Sequence, residues 1–167
     1  MGSQELKQQL VNHIDEAIAM EQTVARMLDS MINTMEDEEI RERLREHKME
    51  TERQQDRLTR RLEAHGASPS TIREAAGVAE ALMKSVVDVA RTEKSGRNAR
   101  DGYATEHMEI AAYELLERVA LHAGDEETAQ VARDNRAEEE AMAKVFASNW
   151  DRFAELSLRD QGITVSG

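Results

Sequence analysis

Glu21, His47, Glu50, Glu106, Glu109 and Glu139 interrupt periodic stretches whose other inward positions are largely apolar. Each offers a carboxylate oxygen or an imidazole nitrogen, a donor set that suits iron or manganese. A carboxylate left bare in a helical core is expensive, and several at one level repel one another. Something cationic has to compensate them. Arg53 and Arg57 fall mainly on the outward phase of their helix, so a divalent metal is the alternative. The six residues are its expected ligands. Gln54 and Tyr113 are expected to support them; Tyr113 can orient a carboxylate, take part in one-electron chemistry, or simply pack. The run Glu138-Glu139-Glu140 leaves the helical phase open by one residue, with Glu139 the expected ligand.

The elements that must position these groups are long helices. Leu10, Ile14, Ala17, Glu21, Val24, Leu28, Met31 and Met35 follow one another in steps of four and three, the seam of a bundled helix. Asp37 reads as an N-cap with Glu38 and Glu39 in the first turn. The second helix carries Ile40, Leu44, His47, Thr51, Gln54, Leu58 and Leu62 inward and stops at Gly66. A shorter amphipathic helix is predicted over about 70–91, and the charged stretch from Thr92 to Gly102 reads as a connection. Further helices are predicted over about 102–122 and 126–158, with Gly124 a stop, Asp125 a cap and a loose tail from Arg159. Two helical hairpins separated by a long crossover make an all-α antiparallel four-helix bundle.

The rise of about 1.5 Å per residue sets the height of each polar group. Counted from Asp37, Glu21 lies roughly 24 Å back, while His47, Glu50 and Gln54 lie roughly 15, 20 and 26 Å forward. Counted from Gly124, Glu106 and Glu109 lie roughly 27 and 22 Å back, and Glu139 roughly 22 Å forward. Every helix of the bundle therefore brings carboxylate to mid-height.

Composition excludes several other classes. With 40% hydrophobic and 34% charged residues, one Pro and 3% aromatics, a β-sandwich has neither the turns nor the core it needs. The net charge of −12 argues against a nucleic-acid or anionic-membrane surface. Without cysteine there are no disulfides, iron–sulfur clusters or zinc knuckles. No apolar run approaches a membrane span and the N-terminus has no signal-peptide core, so a cytoplasmic protein is expected. His13, His65, His107 and His122 read as surface or helix-end residues, and the methionines as core filling.

The segments from His47 to Leu58 and from Glu106 to Tyr113 resemble the YciF-like branch of the ferritin-like superfamily. Its H-x-x-E-T-x-x-Q-x-x-R pattern matches His47, Glu50, Thr51, Gln54 and Arg57, and its E-H-x-E-I-x-x-Y pattern matches Glu106, His107, Glu109, Ile110 and Tyr113. The resemblance spans about residues 10–150, and Glu21 and the 138–140 run fall where that branch has its other carboxylates. It implies a ferritin-like fold, a centre of two iron ions, a homodimer, and oxidant chemistry with oxygen or peroxide in stress responses. The chain departs from wider ferritins in that His47 precedes Glu50, where those have E-x-x-H, and Glu139 is followed by Met142. A manganese catalase-like centre on the same ligands is one alternative. A non-enzymatic helical interaction protein, whose polar layer only fixes register, is the other.

Overall fold

The computed structural model describes residues 2–69 and 94–164. Among them are five helices: α1 (Gly2–Thr34), α2 (Glu38–Ala64), α3 (Ser95–His122), α4 (Glu126–Ala147) and α5 (Trp150–Asp160). Among the described residues there are helices and no strands, as the seams predict. Helix α1 packs on α2 and α3, and α4 packs on α3 and α2, which closes a four-helix square. The predicted helix over 70–91 lies outside the described residues.

The expected punctuation is present. Asp37 accepts from the Ile40 N–H at 3.0 Å and starts α2, and Asp125 accepts from the Thr128 N–H at 3.0 Å and starts α4. Gly66 and Gly124 stop the preceding helices with φ of 74° and 72°, which L side chains rarely adopt.

Two apolar clusters fill the bundle, one at each end. Leu10, Ile14, Leu58, Leu62, Leu116, Ala120, Ala129 and their neighbours form the first. Leu28, Met31, Ile40, Leu44, Ala99, Met142, Phe146 and Phe153 belong to the second. Membership gives the helix directions: α1 and α4 run from the first cluster to the second, and α2 and α3 run the other way. The end of α2 and the start of α3 are thus at opposite ends of the bundle.

Three boundaries differ from the expectations. Helix α3 begins at Ser95, inside the stretch read as a connection. Its cap comes from a distant part of the chain: the Asp160 carboxylate accepts from the N–H groups of Lys94 and Ser95 at 2.9 and 2.8 Å. Its glycines serve close approach, since a Cβ on Gly102 would lie 2.6 Å from the Phe146 ring and one on Gly96 2.7 Å from the Ser157 hydroxyl. The predicted fourth helix is two, α4 and α5. Ser148 and Asn149 donate their side chains to the carbonyls of Lys144 and Val145, each at 2.8 Å, and offer the backbone an exit from the helix. The turn brings Phe153 against Phe146, ring centroids 5.9 Å apart. Arg159 and Asp160, read as loose tail, are the end of α5.

Candidate metal centre

Between the two apolar clusters lies a polar layer with no water-exposed face. Glu21 comes from α1, His47, Thr51 and Gln54 from α2, Glu106 and Glu109 from α3, and Asn135 and Glu139 from α4; all are buried, most of them completely. They reach one level because each sits near the middle of its helix on the seam that also carries the core.

Two triads of potential ligands emerge. His47, Glu106 and Glu139 bring donor atoms within 4.8 Å of one another, and so do Glu21, Glu109 and Glu139. Glu139 belongs to both. His47 Nε2 is 3.3 Å from Glu106 Oε2 and 3.4 Å from Glu139 Oε2, without the alignment of a hydrogen bond. Five of the six expected ligands are thus gathered into one cluster. Glu50 stands apart from both triads: half-buried, it faces the other ring nitrogen, with Oε2 3.0 Å from His47 Nδ1. Of the run 138–140, Glu139 is the residue that points inward, while Glu138 is partly exposed beside Arg57.

The supporting residues are held by hydrogen bonds. Tyr113 donates its hydroxyl to Glu21 Oε1 and accepts from Asn135 Nδ2 at 3.0 Å. Gln54 Nε2 donates to Glu139 Oε1 and, at 2.9 Å, to Glu138 Oε2. Arg57, read as outward-facing, reaches back over α4: Nε donates to Asn135 Oδ1 at 2.8 Å, and its guanidinium pairs with Glu138. Neither Asn135 nor Arg57 was singled out by sequence reasoning as a site residue. Asn135 lies on the α4 seam one helical turn before Glu139, and a buried amide at that place was the available signal.

Electrostatics set this layer apart from an ordinary core. Burial is the main cause that pushes Glu21 up to about 8, offset in part by the Tyr113 hydrogen bond. Burial, then repulsion from neighbouring carboxylates, lifts Glu109 and Glu139 well above the usual range. Burial alone would lower His47, but Glu106, Glu50 and Glu139 outweigh it and raise the ring well above its ordinary value. The hydrogen bond from His47 holds Glu50 low, although its partial burial opposes this. Tyr113 is raised, first by burial and then by Glu21.

The donor set is compatible with a metal site. Glu21 Oε2, Glu139 Oε2, His47 Nε2 and both oxygens of Glu106 and Glu109 are buried without a hydrogen-bond partner. Native interiors leave few polar atoms in that state, and a cluster of them calls for a specific explanation. Glu21, Glu106, Glu109 and Glu139 carry four negative charges when ionised, which two divalent ions would balance with His47 neutral.

A family model described as "Domain of unknown function (DUF892)" matches residues 5–158. The chain belongs to the DUF892 family. Three solved structures are similar to this DUF892 chain. A protein of Xanthomonas campestris pv. campestris is 25% identical with a TM-score of 0.79, over 95% of this chain and 99% of its own. YcfI of Rhodopseudomonas palustris is 23% identical with a TM-score of 0.72, over 86% and 93%. The Escherichia coli stress protein YciF is 17% identical with a TM-score of 0.74, over 90% and 97%. The DUF892 chain therefore shares its helical fold with YciF. Among the described residues, no helix is long and apolar enough to cross a membrane.

Proposed function

We propose that this protein binds two iron ions in a carboxylate-bridged centre of ferritin-like type, and that it reacts them with oxygen or peroxide in stress protection in the cytoplasm. The observation that carries the reading is Glu139, shared between two triads whose remaining donor atoms are buried and unpartnered. A polar layer that served only to fix helix register would satisfy its own hydrogen bonds. This one does not.

Glu21 and Glu109 would hold one ion, His47 and Glu106 the other, and Glu139 would bridge them. Glu50 accepts the Nδ1 proton of His47 and so turns the Nε2 lone pair toward Glu106 and Glu139. Two ferrous ions held there would supply one electron each, enough with two protons to reduce one peroxide to two waters. Tyr113 and Gln54 hold Glu21 and Glu139 in place while the other carboxylates stay free to shift. The apolar clusters above and below keep bulk water out. A homodimer is part of the proposal.

Metal analysis of the purified protein, followed by anaerobic loading with ferrous ion and an oxygen- and peroxide-consumption assay, tests this. Two irons per chain with consumption of either oxidant supports the reading. Two manganese ions with peroxide consumption alone would favour a catalase-like centre instead. A protein that takes up no divalent metal at neutral pH would refute it.

A further inference from the structure

Arg57 closes the H-x-x-E-T-x-x-Q-x-x-R pattern that begins at His47, yet its hydrogen bonds go to Asn135 and Glu138 and to none of the proposed ligands. It stands at the fork of two hydrogen-bonded arms. On one, Nε donates to Asn135 Oδ1 at 2.8 Å, Asn135 Nδ2 donates to the Tyr113 oxygen at 3.0 Å, and Tyr113 donates to Glu21 Oε1. On the other, the guanidinium donates to Glu138 Oε2, which also accepts from Gln54 Nε2 at 2.9 Å, and Gln54 donates to Glu139 Oε1.

A guanidinium has five donors and no acceptor, so it imposes a direction on whatever it touches. Asn135 must turn its carbonyl toward Arg57 and its NH2 toward Tyr113. The tyrosine oxygen then accepts, and its own proton goes to Glu21. Glu138, accepting from Arg57, in the same way draws the Gln54 NH2 rather than its carbonyl, and that NH2 serves Glu139 as well. The outcome is visible in the carboxylates. Glu21 and Glu139 each have Oε1 engaged and Oε2 without a hydrogen bond. Glu106 and Glu109, which neither arm reaches, have both oxygens without one.

We propose that Arg57 is a positioning residue, which through Asn135–Tyr113 and Glu138–Gln54 fixes which oxygen of Glu21 and of Glu139 is offered to the cations. This rests on the metal-centre reading above. It makes a partly exposed arginine, bonded to no ligand itself, a determinant of both ion sites.

The sign of the effect separates positioning from simple charge. Removing a cation near a cation-binding site should tighten metal binding by electrostatics alone. Loss of positioning should weaken it, by roughly 10- to 100-fold for a partner of a ligand. Cobalt(II) is the probe, titrated into the intact protein, with affinity, stoichiometry and visible absorption read together. Arg57→Gln and Arg57→Lys are both expected to weaken cobalt binding and to alter the absorption bands, since lysine cannot donate along two arms at once. The double variant Arg57→Gln/Tyr113→Phe should lose less than the product of the single effects, because both act along one arm. Circular dichroism checks that each variant is folded. Should the Arg57 variants fail to fold, Tyr113→Phe alone still decides the Glu21 arm, which unchanged affinity would overturn. Unchanged or tighter binding by a folded Arg57→Gln overturns the proposal while leaving the metal centre standing. A parent protein that binds no cobalt removes both.

Discussion

His47 Nε2 lies 3.4 Å from Glu139 Oε2, and neither atom has a hydrogen bond. Two complementary groups buried this close without a hydrogen bond are what the proposed metal centre requires of its ligands.

Glu139→Gln should reduce bound divalent metal from two ions per chain to one or none, because the shared ligand is lost. The helical circular-dichroism signal should stay. Urea unfolding with chelator present should show the metal-free variant as stable as the parent or more so, since a neutral amide there avoids the burial and repulsion that oppose the Glu139 carboxylate. A variant that still binds two ions contradicts the central assignment.

Glu50→Ala should weaken metal binding by roughly 10- to 100-fold, as loss of a histidine's hydrogen-bond partner typically does. The expected cause is disorientation of the His47 ring, whose Nδ1 it holds at 3.0 Å. Calorimetric titration with ferrous or manganous ion checks it, and parent-like affinity would remove Glu50 from the site.

Metal-free protein should lose stability as pH rises from about 5 to above 8. Glu21 is raised from 4.5 to about 8, and Glu109 and Glu139 are raised as well, so the folded state holds more protons than the unfolded one in that window. His47, raised by its carboxylate neighbours, works in the same direction: its contribution is full below its unfolded value and fades as pH rises. Stability falls with pH wherever the folded state binds the extra protons. Metal binding should tighten over the same interval, because ligands must shed protons to bind. Melting curves at pH 5.5 and 8.5, with chelator and with metal, test both halves. A metal-free melting temperature that rises with pH would contradict the buried cluster.

Asp125→Ala should destabilise the fold by about 1 kcal/mol or somewhat more through the lost cap of α4. Asp125 also binds Arg61 at 2.9 Å and His65 at 2.7 Å, tying the end of α2 to the start of α4. Burial opposes ionisation there, but the bonds from Thr128, His65 and Arg61 prevail and hold the carboxyl far below its ordinary range. Its contribution is therefore present above the usual carboxylate value and is lost only in strong acid. Urea titration at neutral pH measures the effect, and a variant as stable as the parent would refute it.

The mass in solution should be twice the 18.9 kDa of the chain, as the proposed homodimer requires. Light scattering at micromolar concentration reads it directly, and the mass of a single chain would refute the dimer.

Periodicity and rise alone determined which face of each helix looks inward and at what height its polar residues stand. That was enough to gather Glu21, His47, Glu106, Glu109 and Glu139, because a helix is rigid and its geometry is the same in every sequence. The caps at Asp37 and Asp125 and the stops at Gly66 and Gly124 were legible for the same reason: their bonds close within a few residues. What only the tertiary structure decided depends on groups far apart in the chain. The start of α3 is set by Asp160, 65 residues beyond Ser95. Its glycines look like breakers until Phe146 and Ser157 are placed against them. Glu50 takes Nδ1 of His47 and leaves Nε2 facing Glu106 and Glu139 without a hydrogen bond, which spacing on a single helix does not reveal. Arg57 begins on an outward phase, and its long side chain crosses to Asn135 and Glu138 on α4. A helical repeat specifies the angle at which a side chain leaves its backbone. How far that side chain reaches, and which partner it meets there, is settled by packing.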